Sequence, residues 1–349
     1  MELGILEMHA GRWDRALDYL TRALHYKPDM ATLWANRGRC HLRLGNPTKA
    51  ADAFARARAL NFSEPALLAD QVEALTRLGR LHDALPVARA LFAATRRLHD
   101  GLRLGRLLVE SGECEEALRL LENIPTSVDA SLLRAAALMK MGRMQDARND
   151  LEQALAADPN NSAAWNNLAA VAQSAGNLAE ARDCCRRAVS LNPALMEARM
   201  NLVELERQLG NEDDSRAALL ALQETFPRDT RVALFAGRAW RAMHAPGRAL
   251  AILREGAALA ADPVPLLREA AEAALEDGDA ATAVGFLAEA HRRTPQDAEL
   301  LFALAQALIG AGNVAGASEA LRAVLQRVPG HPQARALLRA MEADPGTPS

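Results

Sequence analysis

Apolar positions return along most of the chain in a fixed order. In Ser162 to Leu195 they are Trp165, Leu168, Leu178, Ala181 and Ala188, with Gly176 between the first two and the rest, and Pro193 behind them. Spacings of three and seven on either side of a glycine predict two amphipathic helices joined at that glycine. The same order places hairpin starts at Ala31, Pro65, Leu98, Val128, Ser162, Met196, Thr230, Val264 and Ala298. An incomplete copy with Gly4, Gly11, Trp13, Ala16, Ala23 and Pro28 precedes them.

Each recurring residue has a physical task. The glycine after the first helix (Gly45, Gly176 and their equivalents) suits a left-handed residue that ends a helix without a Cβ clash. The alanine five residues later (Ala50, Ala181) lies where the two helices cross most closely. A large side chain there should cost about 1 to 3 kcal/mol by overpacking. The proline after the second helix (Pro28, Pro159, Pro193, Pro227, Pro295, Pro329) cannot continue that helix, so the chain turns back and starts the next hairpin.

The 34-residue period and its Trp, Leu, Gly, Ala and Pro anchors resemble the tetratricopeptide repeat (TPR), over residues 1 to about 330. The resemblance implies an all-α fold, a right-handed solenoid of about ten helix–turn–helix repeats. The expected divisions are an N-terminal block, 1–127, with an incomplete first repeat, and a C-terminal block, 128–330. Residues 331–343 should form a capping helix with Ala334, Leu337, Leu338 and Met341 inward, and 344–349 a disordered tail.

Three irregularities interrupt the array. The copy at Leu98 is four residues short because Asn123 to Ser127 ends its second helix early, and a bend or hinge is expected there. Pro86 lies inside a second helix and should kink it. His244 replaces the turn glycine in the copy at Thr230.

Composition narrows the function. Half the residues are hydrophobic and only 4% aromatic, so alanine and leucine do most of the packing. The net charge of -3 argues against a dedicated nucleic-acid binder. Basic residues exceed acidic ones before residue 128 and fall short of them after it. The bases are almost all arginine, as expected of a GC-rich bacterial genome. Cys40, Cys114, Cys184 and Cys185 have no zinc-ligand spacing and read as small buried hydrophobes in a reducing cytosol. No basic leader or membrane-length apolar run appears, so a soluble, cytoplasmic protein is expected.

Catalytic signatures are missing. No lysine precedes Ser or Thr as a phosphate loop requires, no Gly-x-Ser-x-Gly elbow occurs, and no two histidines fall four apart. The acidic run Glu113, Glu115 and Glu116 opens a helix, where carboxylates favour the positive end of the dipole. The chain is therefore read as no enzyme, with no cofactor and no metal.

The resemblance implies that first helices line a concave groove, at the second, fifth, sixth, ninth, twelfth and thirteenth positions of each repeat. Near the N-terminus these are Asn36, Arg39, Arg43, Arg77, Arg103 and Arg106, with Asp70 and Glu73 among them. Farther on come Asn166, Asn167, Asn201 and then Arg231, Phe235, Arg238 and Arg241, followed by Glu269, Glu272, Glu276 and Glu299. Amides can bond an extended peptide backbone, and arginine forks select carboxylates. Asn36, Asn167 and Asn201, at the sixth position, resemble the asparagine ladder of O-linked N-acetylglucosamine transferases, broken here by Asp70, Arg103, Leu133, Phe235, Glu269 and Ala303. Only fragments of the chaperone-tail carboxylate clamp are present.

The expected function is a protein-interaction scaffold that binds a peptide or partner protein in the groove, the partner being acidic where it meets the N-terminal part, with no nucleic acid or membrane partner. The alternative is the regulatory or substrate-presenting arm of a glycosyltransferase or sulfotransferase encoded beyond Ser349 or nearby. Leu3, Gly4, Ile5 and Leu6 are expected to open into solvent, which makes self-association through that face a further expectation, alongside cover by a partner or by a longer native N-terminus.

Overall fold

The computed structural model describes residues 2–343; the expected tail at 344–349 lies outside them. Every described element is a helix. The first hairpins are α1 (Glu2–His9) with α2 (Trp13–Tyr26), α3 (Ala31–Arg43) with α4 (Pro47–Ala59), α5 (Pro65–Arg77) with α6 (Leu81–Thr95), and α7 (Leu98–Ser111) with α8 (Cys114–Glu122). Next are α9 (Val128–Lys140) with α10 (Met144–Ala157), α11 (Ser162–Ser174) with α12 (Leu178–Leu191), and α13 (Met196–Gln208) with α14 (Glu212–Thr225). The last are α15 (Thr230–Ala242) with α16 (Pro246–Leu259), α17 (Val264–Glu276) with α18 (Ala280–Arg293), α19 (Ala298–Gly310) with α20 (Val314–Arg327), and the single helix α21 (Pro332–Ala343). From α3 onward, every hairpin start read from the sequence is the first residue of an odd-numbered helix. The chain divides into two compact units, Met1–Cys184 and Cys185–Ser349.

The anchors work as their chemistry requires. All nine turn glycines have φ between 68° and 87°. His244 takes the same left-handed conformation, with φ 54°, where a side chain is strained. The crossing alanines are fully buried, Ala50, Ala147, Ala249 and Ala283 among them. Ser215 stands at the equivalent place in α14, and its hydroxyl donates to the Val203 carbonyl at 2.8 Å, so the polar atom is satisfied where only a small side chain fits.

Sequence reading missed a second set of small residues. Gly38 and Gly237 occupy the eighth position of their repeats, inside first helices, and each faces a large residue of its partner helix. A Cβ on Gly38 would lie 2.5 Å from the Phe54 ring, and one on Gly237 would lie 2.4 Å from Leu253. In the copy at Pro65 the volumes are exchanged, with Val72 at the eighth position and Ala88 at the place of Phe54. The signal was a glycine within a helix, where the residue is otherwise unfavourable.

Repeat-to-repeat turns are closed by one recurring hydrogen bond. The indole N–H of Trp34 donates to the Pro28 carbonyl at 2.7 Å, and that of Trp165 to the Pro159 carbonyl at 2.9 Å. Arg199 takes the same fourth position and donates to Pro193 at 2.6 Å. Proline thus ends one helix and offers the acceptor that fixes the next.

The irregular places are accommodated locally. Helix α8 has nine residues, as the early stop implies, and Ile124 just beyond it is buried beside Gly101. Helix α6 runs unbroken through Pro86, which is exposed, as is His82, whose carbonyl loses its intrahelical donor on the watered face. In α21, Ala334 is buried and Leu337, Leu338 and Met341 pack against Leu301, Phe302 and Val324. At the other end, Leu3 and Leu6 are exposed as expected. Gly4 is not: it is buried against Leu20, because the absence of a side chain lets α2 approach, and Ile5 is half-buried.

Candidate functional site

In the first unit, the face formed by α3, α5 and α7 gathers most of the N-terminal candidates. Arg39 donates to Asp70 at 2.7 Å and to the amide oxygen of Asn36 at 3.0 Å. Arg77 pairs with Glu73 at 2.5 Å and reaches the Leu42 carbonyl at 3.4 Å. Arg43 lies over the Trp13 ring, 5.8 Å from its centroid. Arg39, Arg43, Asp70, Glu73, Arg77 and Trp13, with Met8, Leu42 and Ala66, line a pocket of about 330 Å³.

Helix α7 carries two further guanidiniums, Arg103 and Arg106, with no carboxylate within ion-pair distance among the described residues. Arg106 is exposed. Arg103 is half-buried; loss of solvent lowers its pKa, and the nearby Glu73, Asp100 and Asp70 oppose that shift. Asp100 is occupied by the Thr95 hydroxyl at 2.7 Å. Three guanidiniums, Arg39, Arg43 and Arg77, therefore line the pocket with two carboxylates, Asp70 and Glu73, and the pocket keeps a positive excess beside Met8, Trp13 and Leu42.

In the second unit, the face of α15 and α17 is organised differently. Arg241 is held by three glutamates, Glu269 and Glu272 at 2.6 Å each and Glu276 at 2.7 Å. Hydrogen bonding to Arg241 lowers the Glu276 pKa and raises that of Arg241. Arg238 pairs with Glu269 at 2.5 Å, Arg231 with Asp229 at 3.0 Å, and Phe235 packs into the core beneath. The expected arginine stretch and acidic stretch thus neutralise each other. Asn167 is half-buried, and Asn166 and Asn201 are half-buried with partners already engaged.

One register explains both faces. Arg39 and Arg238 are ninth in their repeats, and Asp70 and Glu269 are sixth in the next, so a single i to i+31 pair recurs in the two units. The acids that break the sixth-position asparagine pattern are the partners of the arginine one repeat earlier.

Profiles described as tetratricopeptide repeat match residues 1–64 and 132–195 in one case and 274–341 in another, together more than half of the chain. The chain belongs to the tetratricopeptide repeat family. The C-terminal part of a TPR repeat-containing protein from Cytophaga hutchinsonii has the same fold, at TM-score 0.57 and 15% identity over 67% of this chain and 98% of that one. A TPR protein from Parabacteroides merdae aligns at TM-score 0.47 and 16% identity over 80% and 98%. Yeast Tom70 aligns at 0.43 and 15% over 99% and 95%. No curated protein matches the chain.

The second helices of this TPR array carry their own charge pattern. Arg89 of α6 bonds Glu113 and Glu116 of the next repeat, at 2.5 and 2.9 Å. The acidic run therefore does more than face the helix dipole: Glu113 makes no side-chain cap, and two of its carboxylates hold an arginine. Arg186 bonds Asp214 at 3.3 Å and the buried Glu206 at 2.6 Å, where Asn211 adds a second donor at 2.9 Å. All four cysteines are buried thiols, and burial pushes Cys40 and Cys184 up to about 11. A thiol with so high a pKa is a poor nucleophile near neutrality.

Among the described residues, no cluster of three or more His, Cys, Asp or Glu could hold a metal, and no helix is long and apolar enough to cross a membrane. His41 is a packing residue, buried with both ring nitrogens unpartnered, and burial with nearby Arg37 and Lys49 lowers its pKa.

Proposed function

We propose that this TPR protein is a non-catalytic scaffold whose first-unit face binds an acidic peptide segment of a partner protein. The observation that carries this reading is the inequality of charge around one pocket: Arg39, Arg43 and Arg77 line it against Asp70 and Glu73, and Arg43 has no carboxylate partner among the described residues, beside Met8, Trp13 and Leu42. A carboxylate entering there gains a charge-assisted hydrogen bond without displacing an existing ion pair. An apolar side chain beside it would occupy the floor.

The test uses fluorescently labelled peptides matched in apolar content and differing in charge. Acidic peptides should bind the wild-type chain with an affinity that falls as salt rises, because the attraction is screened. Replacing Arg43 and Arg106 by Glu should weaken that binding by at least about tenfold and flatten its salt dependence. Equal affinity for acidic and basic peptides would remove the reading.

A further inference from the structure

On the second-helix face, Arg89 and Arg186 are each twenty-fifth in their repeats, and each bonds an acid at the nineteenth position of the next, Glu116 and Asp214. One repeat after Arg186, the twenty-fifth residue is Leu220, and the nineteenth residue of the repeat that follows is Arg248. The rung is absent, and its cation has moved to the opposite side.

What remains is a gap with exposed chemistry. A pocket of about 360 Å³ lies between α14 and α16, lined by Leu220, Gln223, Trp240, Arg248, Ile252 and Glu255, together with Ala251. Leu220 is 45% exposed, although it is large and apolar. Helix α14 also packs more thinly on α15 than its equivalents α4 on α5, α10 on α11 or α18 on α19. Arg248 lies over the Trp240 ring at 4.8 Å, with no carboxylate in ion-pair reach among the described residues. The Trp240 indole N–H is held by Gln223 at 3.2 Å, which fixes the ring as the floor.

We propose that this gap is a second docking site, and that its occupant is a partner segment bearing one carboxylate next to a bulky apolar side chain. The carboxylate completes the missing rung on Arg248 in trans, and the apolar group covers Leu220 and Ile252. Glu255 on the other wall disfavours a second acid. The proposal is independent of the first-unit reading, and Trp13 and Trp34 report on that region separately.

The experiment follows the four tryptophan indole resonances of the full ¹⁵N-labelled chain, with the Trp240 signal assigned by Trp240→Phe. The probes are a capped tetrapeptide of sequence AFEA and its counterpart AFQA. The Trp240 resonance should move saturably with AFEA and bind AFQA about threefold to fivefold more weakly, the scale of one exposed charge pair. Leu220→Glu supplies the carboxylate in cis, so it should raise the melting temperature and abolish the shift; Arg248→Gln should make the two probes equivalent. A stationary Trp240 signal, equal affinity for both probes in the wild type, or wild-type binding by Leu220→Glu would overturn the proposal.

Discussion

The first-helix faces of the two units share a motif and end with opposite chemistry. Both carry the arginine-to-acid pair one repeat apart, Arg39 with Asp70 and Arg238 with Glu269. In the second unit the next arginine, Arg241, has a side chain only 19% exposed and meets three carboxylates. In the first unit Arg43, which lines a pocket, and Arg103 have no carboxylate within ion-pair distance among the described residues. Arginine content alone does not mark a binding face; the residues one repeat away decide whether a cation is spent on the fold or remains available.

The comparison breaks most severely if Arg241 is removed. Arg241→Met should destabilise the second unit by about 2 kcal/mol, because three converging carboxylates lose their donors, and should leave acidic-peptide binding unchanged. The effect depends on pH with a definite sign. Arg241 lowers the folded-state pKa of Glu276, so the stabilisation is present above the unfolded value near 4.5 and is lost as pH falls through the lower folded value. The difference between variant and wild type in chemical denaturation should therefore shrink below about pH 4.5. A constant difference from neutrality to acid would contradict the cage.

The packing beneath the two faces should respond alike. Gly38→Ala and Gly237→Ala should each cost about 1 to 2 kcal/mol, since the new Cβ meets Phe54 or Leu253 well inside van der Waals contact. Thermal unfolding that spared one of them would show that the two units differ in packing as well as in charge.

Asp70→Asn sharpens the contrast on the first face. It frees Arg39, so acidic peptides should bind about threefold to fivefold more tightly, whereas Glu272→Gln should change binding little because Arg241 keeps Glu269 and Glu276. The smallest expected effect is at the divergent turn. His244→Gly should raise stability by about 1 kcal/mol or less, as the left-handed strain is relieved and part of the gain is offset by the flexibility of the unfolded chain.

Much of the fold was legible because the anchors act locally. A left-handed turn needs glycine, a close crossing needs alanine, and a proline stops a helix wherever it falls, so helix starts could be read to the residue from Ala31 to Ala298. Gly38 and Gly237 were missed because their reason lies across the hairpin, in Phe54 and Leu253. The candidate positions on the first-helix faces were also legible, since repeat register fixes which residues share a face. Their availability was not: Arg238 and Arg43 look equivalent along the chain, and only the neighbouring repeat separates a cation facing Glu269 from one facing Trp13. The pocket at Trp240 had a signal, Leu220 where Arg89 and Arg186 stand, but it becomes readable only once the rungs between second helices are seen.

The most direct measurement titrates an acidic, apolar-containing peptide into the ¹⁵N-labelled chain and follows the arginine Nε–H resonances. The account predicts saturable shifts for Arg43 and Arg103 and stationary signals for Arg238 and Arg241. Shifts of Arg238 and Arg241 with Arg43 and Arg103 unmoved would contradict it.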